Sequence, residues 1–129
     1  MKRRAIDRGF DVALAATALS DAPRAGLRMG SALYAGARLL SVGANRWYST
    51  HPDSDNREFN RTVHAEHVAI LKRRYTNQSG LTLYVARIRA DGSYGCSKPC
   101  GNCMNLMKLA GVTRVRYFDH EGKQVEINV

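Results

Sequence analysis

The chain has 129 residues, 44% of them apolar and 24% charged, with 20 Lys and Arg against 11 Asp and Glu and a net charge of +9. That length supports one packed domain and that balance excludes a disordered chain, while the longest apolar stretches, such as "VALAATAL", fall far short of the roughly 20 residues a bilayer helix needs. The opening "MKRRAIDRGFD" is broken by acids where a signal peptide would carry its apolar segment, so the expected address is the cytoplasm, with no membrane partner. The positive charge would raise encounter rates with phosphate-bearing ligands, and it serves solubility equally well. Cys96, Cys100 and Cys103 are odd in number and packed into eight positions, a poor framework for disulfides, which points to metal or redox chemistry instead.

From Ile6 to Ser20 the apolar residues Ile6, Phe10, Leu14 and Ala18, with Val12 and Leu19, keep a period near 3.6 and predict a first helix. "RMGSALYA" (28 to 35) and "ARLLSVG" (37 to 43), separated by Gly36, read as a hairpin of two strands. "ANRWYSTHPDSDNREFNR" is polar, carries Pro52 and has no sustained period, so it reads as a long surface loop. A second helix is expected to begin near Thr62, whose hydroxyl could cap it, and to run to about Tyr75 before "NQSG" stops it. "LTLYVARIR" alternates and gives a third strand, and "ADGSYGCSKP" returns the chain through a loop. Leu106, Met107, Leu109 and Ala110 give a third helix an apolar side that ends at Gly111. "VTRVRYF" and "KQVEINV" are the last strands, joined by a turn too tight for anything but antiparallel pairing. The order α-β-β-α-β-α-β-β predicts a three-layer α/β domain with a five-stranded sheet flanked by helices.

"PCGNC" (99 to 103) places two thiols three apart at a helix start, where the positive end of the helix dipole favours thiolate. Alone, this spacing fits a redox pair or half of a zinc site. "RTVHAEHVAI" (61 to 70) adds His64 and Glu66 in the first turn of another helix, where side chains two apart can converge beyond the helix end. One imidazole and two thiolates would fill three tetrahedral positions of Zn²⁺ and leave the fourth for water, with a carboxylate beside that water to accept its proton.

"HAE" followed by "SKPCGNC" resembles the H-x-E and P-C-x-x-C signature of the zinc-dependent cytidine and deoxycytidylate deaminase superfamily, and the element order is similar to that cytidine deaminase-like fold over nearly the whole chain. The resemblance implies one zinc-dependent deaminase domain over residues 1–129 and a hydrolytic deamination, in which water attacks the ring carbon bearing an exocyclic amine and ammonia leaves. It implies His64, Cys100 and Cys103 as zinc ligands and Glu66 as the group that moves protons between the water, the ring nitrogen and the departing amine. Asn45, in "GANRW", matches the family's G-x-N position, where an amide contacts the sugar or base, and the backbone groups of Ala65 and Ser97 match positions that grip the pyrimidine edge. Family members often assemble as dimers or tetramers, so a homo-oligomer is expected.

Plainer roles stand beside these. Cys96 could close the site as a fourth ligand, or be a small, partly buried loop residue. His67 could support the site or be a hydrogen-bonded core histidine. Trp47 and Tyr48 could stack on a base or pack the loop, and Arg46, Arg57, Arg61 and Lys98 could meet a phosphate or lie solvated on the surface. Members acting on free nucleosides carry a Glu two positions after the Asn, where this chain has Trp47. Members acting on deoxycytidylate often carry a second zinc site, for which this chain has too few plausible ligands, so the match is to the superfamily rather than to one branch; the expected substrate is a small pyrimidine nucleotide or nucleoside, of dCMP type first. Cytosine or adenine in single-stranded DNA or RNA is the alternative, gripped by the loop and the surplus charge.

Overall fold

In the computed structural model, which describes residues 5–20, 28–47, 62, 63, 65, 69, 80–89, 91–99 and 101–129, the alternation of "RMGSALYA" becomes β1 (Arg28–Ala35), and Leu33 and Ala32 face opposite sides of a sheet. β1 turns at Gly36, whose φ of 60° suits glycine, into β2 (Arg38–Ala44). β5 (Leu81–Ile88) pairs antiparallel with β1 on its other side and parallel with β6 (Val112–Phe118), which pairs antiparallel with β7 (Gln124–Asn128). Among the described residues the sheet order is β2-β1-β5-β6-β7, and β3 (Arg46–Trp47) and β4 (Thr62–Val63) form a separate antiparallel pair. The parallel step needs a crossover, and α2 (Gly101–Ala110) supplies it, ending at Gly111 with φ 90°.

Period-2 alternation divides the core between two faces. Phe10 and Ala13 of α1 (Ala5–Ala16) pack with Ala32, Tyr34, Tyr84, Ala86 and Phe118 on one. Leu33, Leu83, Val85, Val115 and Tyr117 pack with Cys103 and Met107 of α2 and with the helical residue Ala69 on the other. The expected three layers are present. Val112 and Val115 share a face despite their odd spacing because the β5–β6 register slips by one residue after Leu81↔Val112, a bulge that reverses which side the pleat presents.

Four expectations are corrected. The first helix stops at Ala16 rather than Ser20 and tightens into a 3₁₀ turn (Thr17–Leu19), which leaves Ala18 and Leu19 exposed. The cause is β1: a Cβ on Gly30 would overlap the Ala13 carbonyl and the Thr17 amide, and Thr17 Oγ1 donates back to Leu14 O at 2.6 Å instead of letting the helix continue. The 44 to 61 stretch is not all loop, since Arg46–Trp47 pairs with Thr62–Val63 and closes its base. Thr62 is accordingly a strand residue rather than a cap, as a β-branched Thr-Val pair favours, and helix is found at Ala65 and Ala69; the rest of that predicted helix lies outside the described residues. Leu109 does not join the apolar side of α2 but is 87% exposed, because it sits about 200° around the helix from Met107.

Candidate functional site

One row of the sheet organises the candidate residues. Gly43, Ser31 and Val85 are aligned across β2, β1 and β5. Ser31 falls at an inward position of β1, in phase with Leu33, and is fully buried. Its Oγ donates to Ala65 O at 2.8 Å and lies 3.4 Å from Gly43 O. Ala65 is itself fully buried, and one helical turn on, Ala69 O accepts from Ser41 Oγ of β2 at 2.7 Å. Two strand hydroxyls thus tie the helical residues Ala65 and Ala69 to β1 and β2.

The neighbouring strand holds the second candidate segment. After Ile88 the chain doubles back on itself: Arg89 N donates to Ser93 O at 2.8 Å, Gly95 N donates to Arg87 O at 2.9 Å, and Tyr94 bridges Ile88. Asp91 in this turn accepts from the Ser93 hydroxyl and then the Ser93 amide, which hold its carboxyl below the usual carboxylate range. The parallel register of β5 and β6 runs to Tyr84↔Arg116, and Ser97 bridges the two strands just beyond it. Ser97 Oγ donates to Val85 O at 2.8 Å and accepts from Phe118 N at 2.9 Å, while Ser97 N donates to Phe118 O at 2.9 Å. Ser97 is fully buried, Lys98 exposed and Pro99 buried, so the chain enters α2 from a fixed point.

Asn45 lies just past the end of β2 and is also buried. Its Oδ1 accepts from Met29 N at 2.9 Å and from Ser20 Oγ at 2.6 Å, and its backbone N–H donates to Met29 O at 3.2 Å. Cys103, in the first turn of α2, is fully buried in the cluster that also holds Ala69 and Met107. Cys96 is half-buried, consistent with a loop residue.

The structure therefore brings Ala65 and Ser97 to partnered positions, Ser31 and Val85, of adjacent strands, and it gathers Ala69 and Cys103 into one cluster. His64, Glu66 and Cys100 lie outside the described residues, as do Tyr48, Arg57, Arg61 and His67; among the described residues no group of three or more His, Cys, Asp and Glu could hold a metal ion. The Ser97 amide is spent on Phe118 and the Ala65 carbonyl receives Ser31, which narrows the backbone groups either residue can offer a ligand. Sequence reasoning missed Ser20, Ser31 and Ser41. The signal was there for Ser31, a small hydroxyl at a core-facing position of an otherwise apolar strand, which must find a hydrogen-bond partner. No helix among the described residues is long and apolar enough to cross a membrane.

Residues 5–119 match the family described as the cytidine and deoxycytidylate deaminase zinc-binding region. No curated protein sequence matches the chain. Among solved structures, cytidine deaminase from Burkholderia pseudomallei is similar with a TM-score of 0.68 at 18% identity, covering 99% of this chain and 93% of that one. Cytidine deaminase from Mycobacterium leprae has a TM-score of 0.64 at 22% identity, with coverages of 96% and 94%. The dCMP deaminase of the cyanophage S-TIM5, in complex with dCMP and dUMP, has a TM-score of 0.63 at 20% identity, with coverages of 89% and 81%. Identities this low speak to the shared fold, and it is the family match across both motif segments that decides membership: the chain belongs to the cytidine and deoxycytidylate deaminase family.

Proposed function

We propose that the protein is a zinc-dependent hydrolytic deaminase that converts the cytosine of a small pyrimidine nucleotide, of dCMP type, to uracil. The observation that carries this reading is the match over residues 5–119, which spans "HAE" and "PCGNC" together. The convergence of Ala65 and Ser97 on the Ser31–Val85 pair supports it, because these residues adjoin the two motifs. The donor set suits zinc: one imidazole and two thiols, of which Cys103 is a wholly buried thiol at the positive end of a helix. His64, Cys100 and Cys103 would hold the ion. When bound, zinc would supply the Lewis acidity that makes water a nucleophile near neutral pH.

The chain's own residues would do the rest. Glu66 would take a proton from the attacking water, deliver it to the ring nitrogen, and pass a proton to the amine as the carbon–nitrogen bond breaks. Cytosine and water become uracil and ammonia, and Glu66 ends as it began. Asn45, its Oδ1 held by Met29 and Ser20, would present a fixed amide to the sugar or base. Backbone groups of Ala65 and Ser97 other than those spent on Ser31 and Phe118 would meet the pyrimidine edge. The reading takes residues 1–129 as one domain. Trp47, standing where nucleoside-specific members carry Glu, favours a nucleotide over a nucleoside.

A second reading, deamination of a base in single-stranded nucleic acid, is favoured by one observation. Arg28, Arg89 and Lys98 are exposed around the end of the sheet where Ser97 sits, Arg28 being paired with Ile88 next to Arg89. Incubating the zinc-loaded protein with dCMP, cytidine, deoxycytidine and short single-stranded oligonucleotides, with uracil and ammonia as readouts, separates the two. Turnover of dCMP ahead of the nucleosides is expected. Turnover of oligonucleotides alone, with KM rising steeply with salt as several phosphate contacts would require, selects the second reading.

A further inference from the structure

We infer that Ser31 and Ser97 are paired positioning residues that set the histidine-bearing segment in register with the cysteine-bearing segment. The inference rests on the metal-site reading above and goes beyond it, since neither serine is a ligand in that reading. Ser31 and Val85 are direct cross-strand partners. Ser31 Oγ holds the carbonyl of Ala65, the residue between His64 and Glu66 in the chain. Ser97, three positions before Cys100 in the chain, holds the carbonyl of Val85 through its Oγ. Two separate segments are therefore fastened to the two halves of one residue pair, in the centre of the sheet.

Both hydroxyls are fully buried, so each bond forms in a low-dielectric setting and neither carbonyl has water as a substitute partner. Ser97 does more than Ser31. Beyond Tyr84↔Arg116 no further β5–β6 partners are paired, and Ser97 takes the place of the missing ladder with one donor to β5, one acceptor for β6 and its own amide on Phe118. The segment entering α2 is thereby referenced to both strands. A donor set drawn from two segments needs their spacing held to a fraction of an ångström, because metal affinity depends on ligand geometry being preformed. Alanine at either serine keeps every proposed ligand and loosens that spacing.

The test is metal affinity of the purified full chain, by competition titration with zinc and by the ligand-field spectrum of the Co(II)-substituted protein. S31A and S97A should each weaken zinc binding by about tenfold and broaden the tetrahedral Co(II) bands, as loss of supporting contacts around metal sites does, and S31T and S97T should restore both by returning the hydroxyl. Phe10→Leu, on the opposite face of the sheet, serves as a control that lowers stability without touching the row, and should leave affinity and spectrum as in the parent. Parent-like affinity and spectrum in both alanine variants would overturn the inference, as would an equal loss in the Phe10→Leu control. Should S97A fail to fold, S31A carries the test, since Ser31 Oγ makes one short bond, to Ala65 O, whereas Ser97 Oγ joins two strands. A parent protein that binds no zinc sinks the metal-site reading itself, an outcome distinct from parent binding with unaffected variants.

Discussion

At the scale of single residues, what a side chain can do here is set by what its neighbours leave it. Glu66→Gln keeps shape and removes only the basic oxygen, so zinc content and melting temperature should match the parent while kcat falls about 10²–10⁴-fold. A variant with parent-like turnover would end the role given to Glu66. Gly30 is decided by space rather than chemistry: any Cβ there meets the Ala13 carbonyl and the Thr17 amide, both backbone atoms that cannot swing aside. Gly30→Ala should cost about 2–3 kcal/mol in urea unfolding, the upper part of the overpacking range. Tyr34 shows the electrostatic counterpart. Burial, then the neighbouring Tyr84, raises its phenol above the ordinary 10.0, and Arg8 only partly opposes them. The folded chain then keeps this proton at a pH where the unfolded chain has lost it, so the contribution is whole below 10.0 and is lost as pH climbs through the folded value. Tyr34→Phe should flatten the alkaline fall in stability, measured by denaturant unfolding across that range; an unchanged slope would show that other groups dominate it.

At the scale of elements, sequence periodicity reports the type of an element better than its ends, and it misjudges a face where a bulge resets the pleat or, as at Leu109, an apolar residue lies off the buried line. The alternation in "LTLYVARIR" is met by a strand that puts Leu83 and Val85 on one face and Tyr84 and Ala86 on the other. The first helix was drawn too long because Ala18 and Leu19 continue its apolar pattern, whereas the close crossing at Gly30 ends it. In α2 the inward line is Cys103 and Met107, four apart, and Leu109 points away. Met107→Ala should therefore destabilise by about 2–5 kcal/mol through the cavity it leaves, while Leu109→Ser stays within about 0.5 kcal/mol of the parent. Equal effects at the two positions would mean that this face of α2 is covered in solution. The family motifs were legible for a related reason: the C-x-x-C and the H-x-E are short-range patterns written in residue type and spacing, and the family match spans both.

At the scale of the whole molecule, a bound ion and the fold would be linked, because the proposed donors come from two segments and an unfolded chain offers a metal no preformed site. Removing zinc with a chelator should lower the melting temperature, by about 4 kcal/mol of stabilisation lost where free zinc had stood at a thousand times Kd, and re-addition should restore it. A melting curve indifferent to chelation would argue against a metal shared between the two segments. By itself the sequence determined most of the element order and carries the proposed donors and base in two short motifs, since these depend on residues a few positions apart. Only the tertiary structure decided that β1 lies between β2 and β5, that Ser31 stands beside Val85, that Ser97 bridges β5 and β6, and that Arg46–Trp47 closes on Thr62–Val63. An alternating pattern is silent on which strand will be a given strand's neighbour; that choice is made by pairing between residues far apart in the chain, and buried hydroxyls such as Ser31 and Ser97 are satisfied only where that pairing brings their carbonyls within reach.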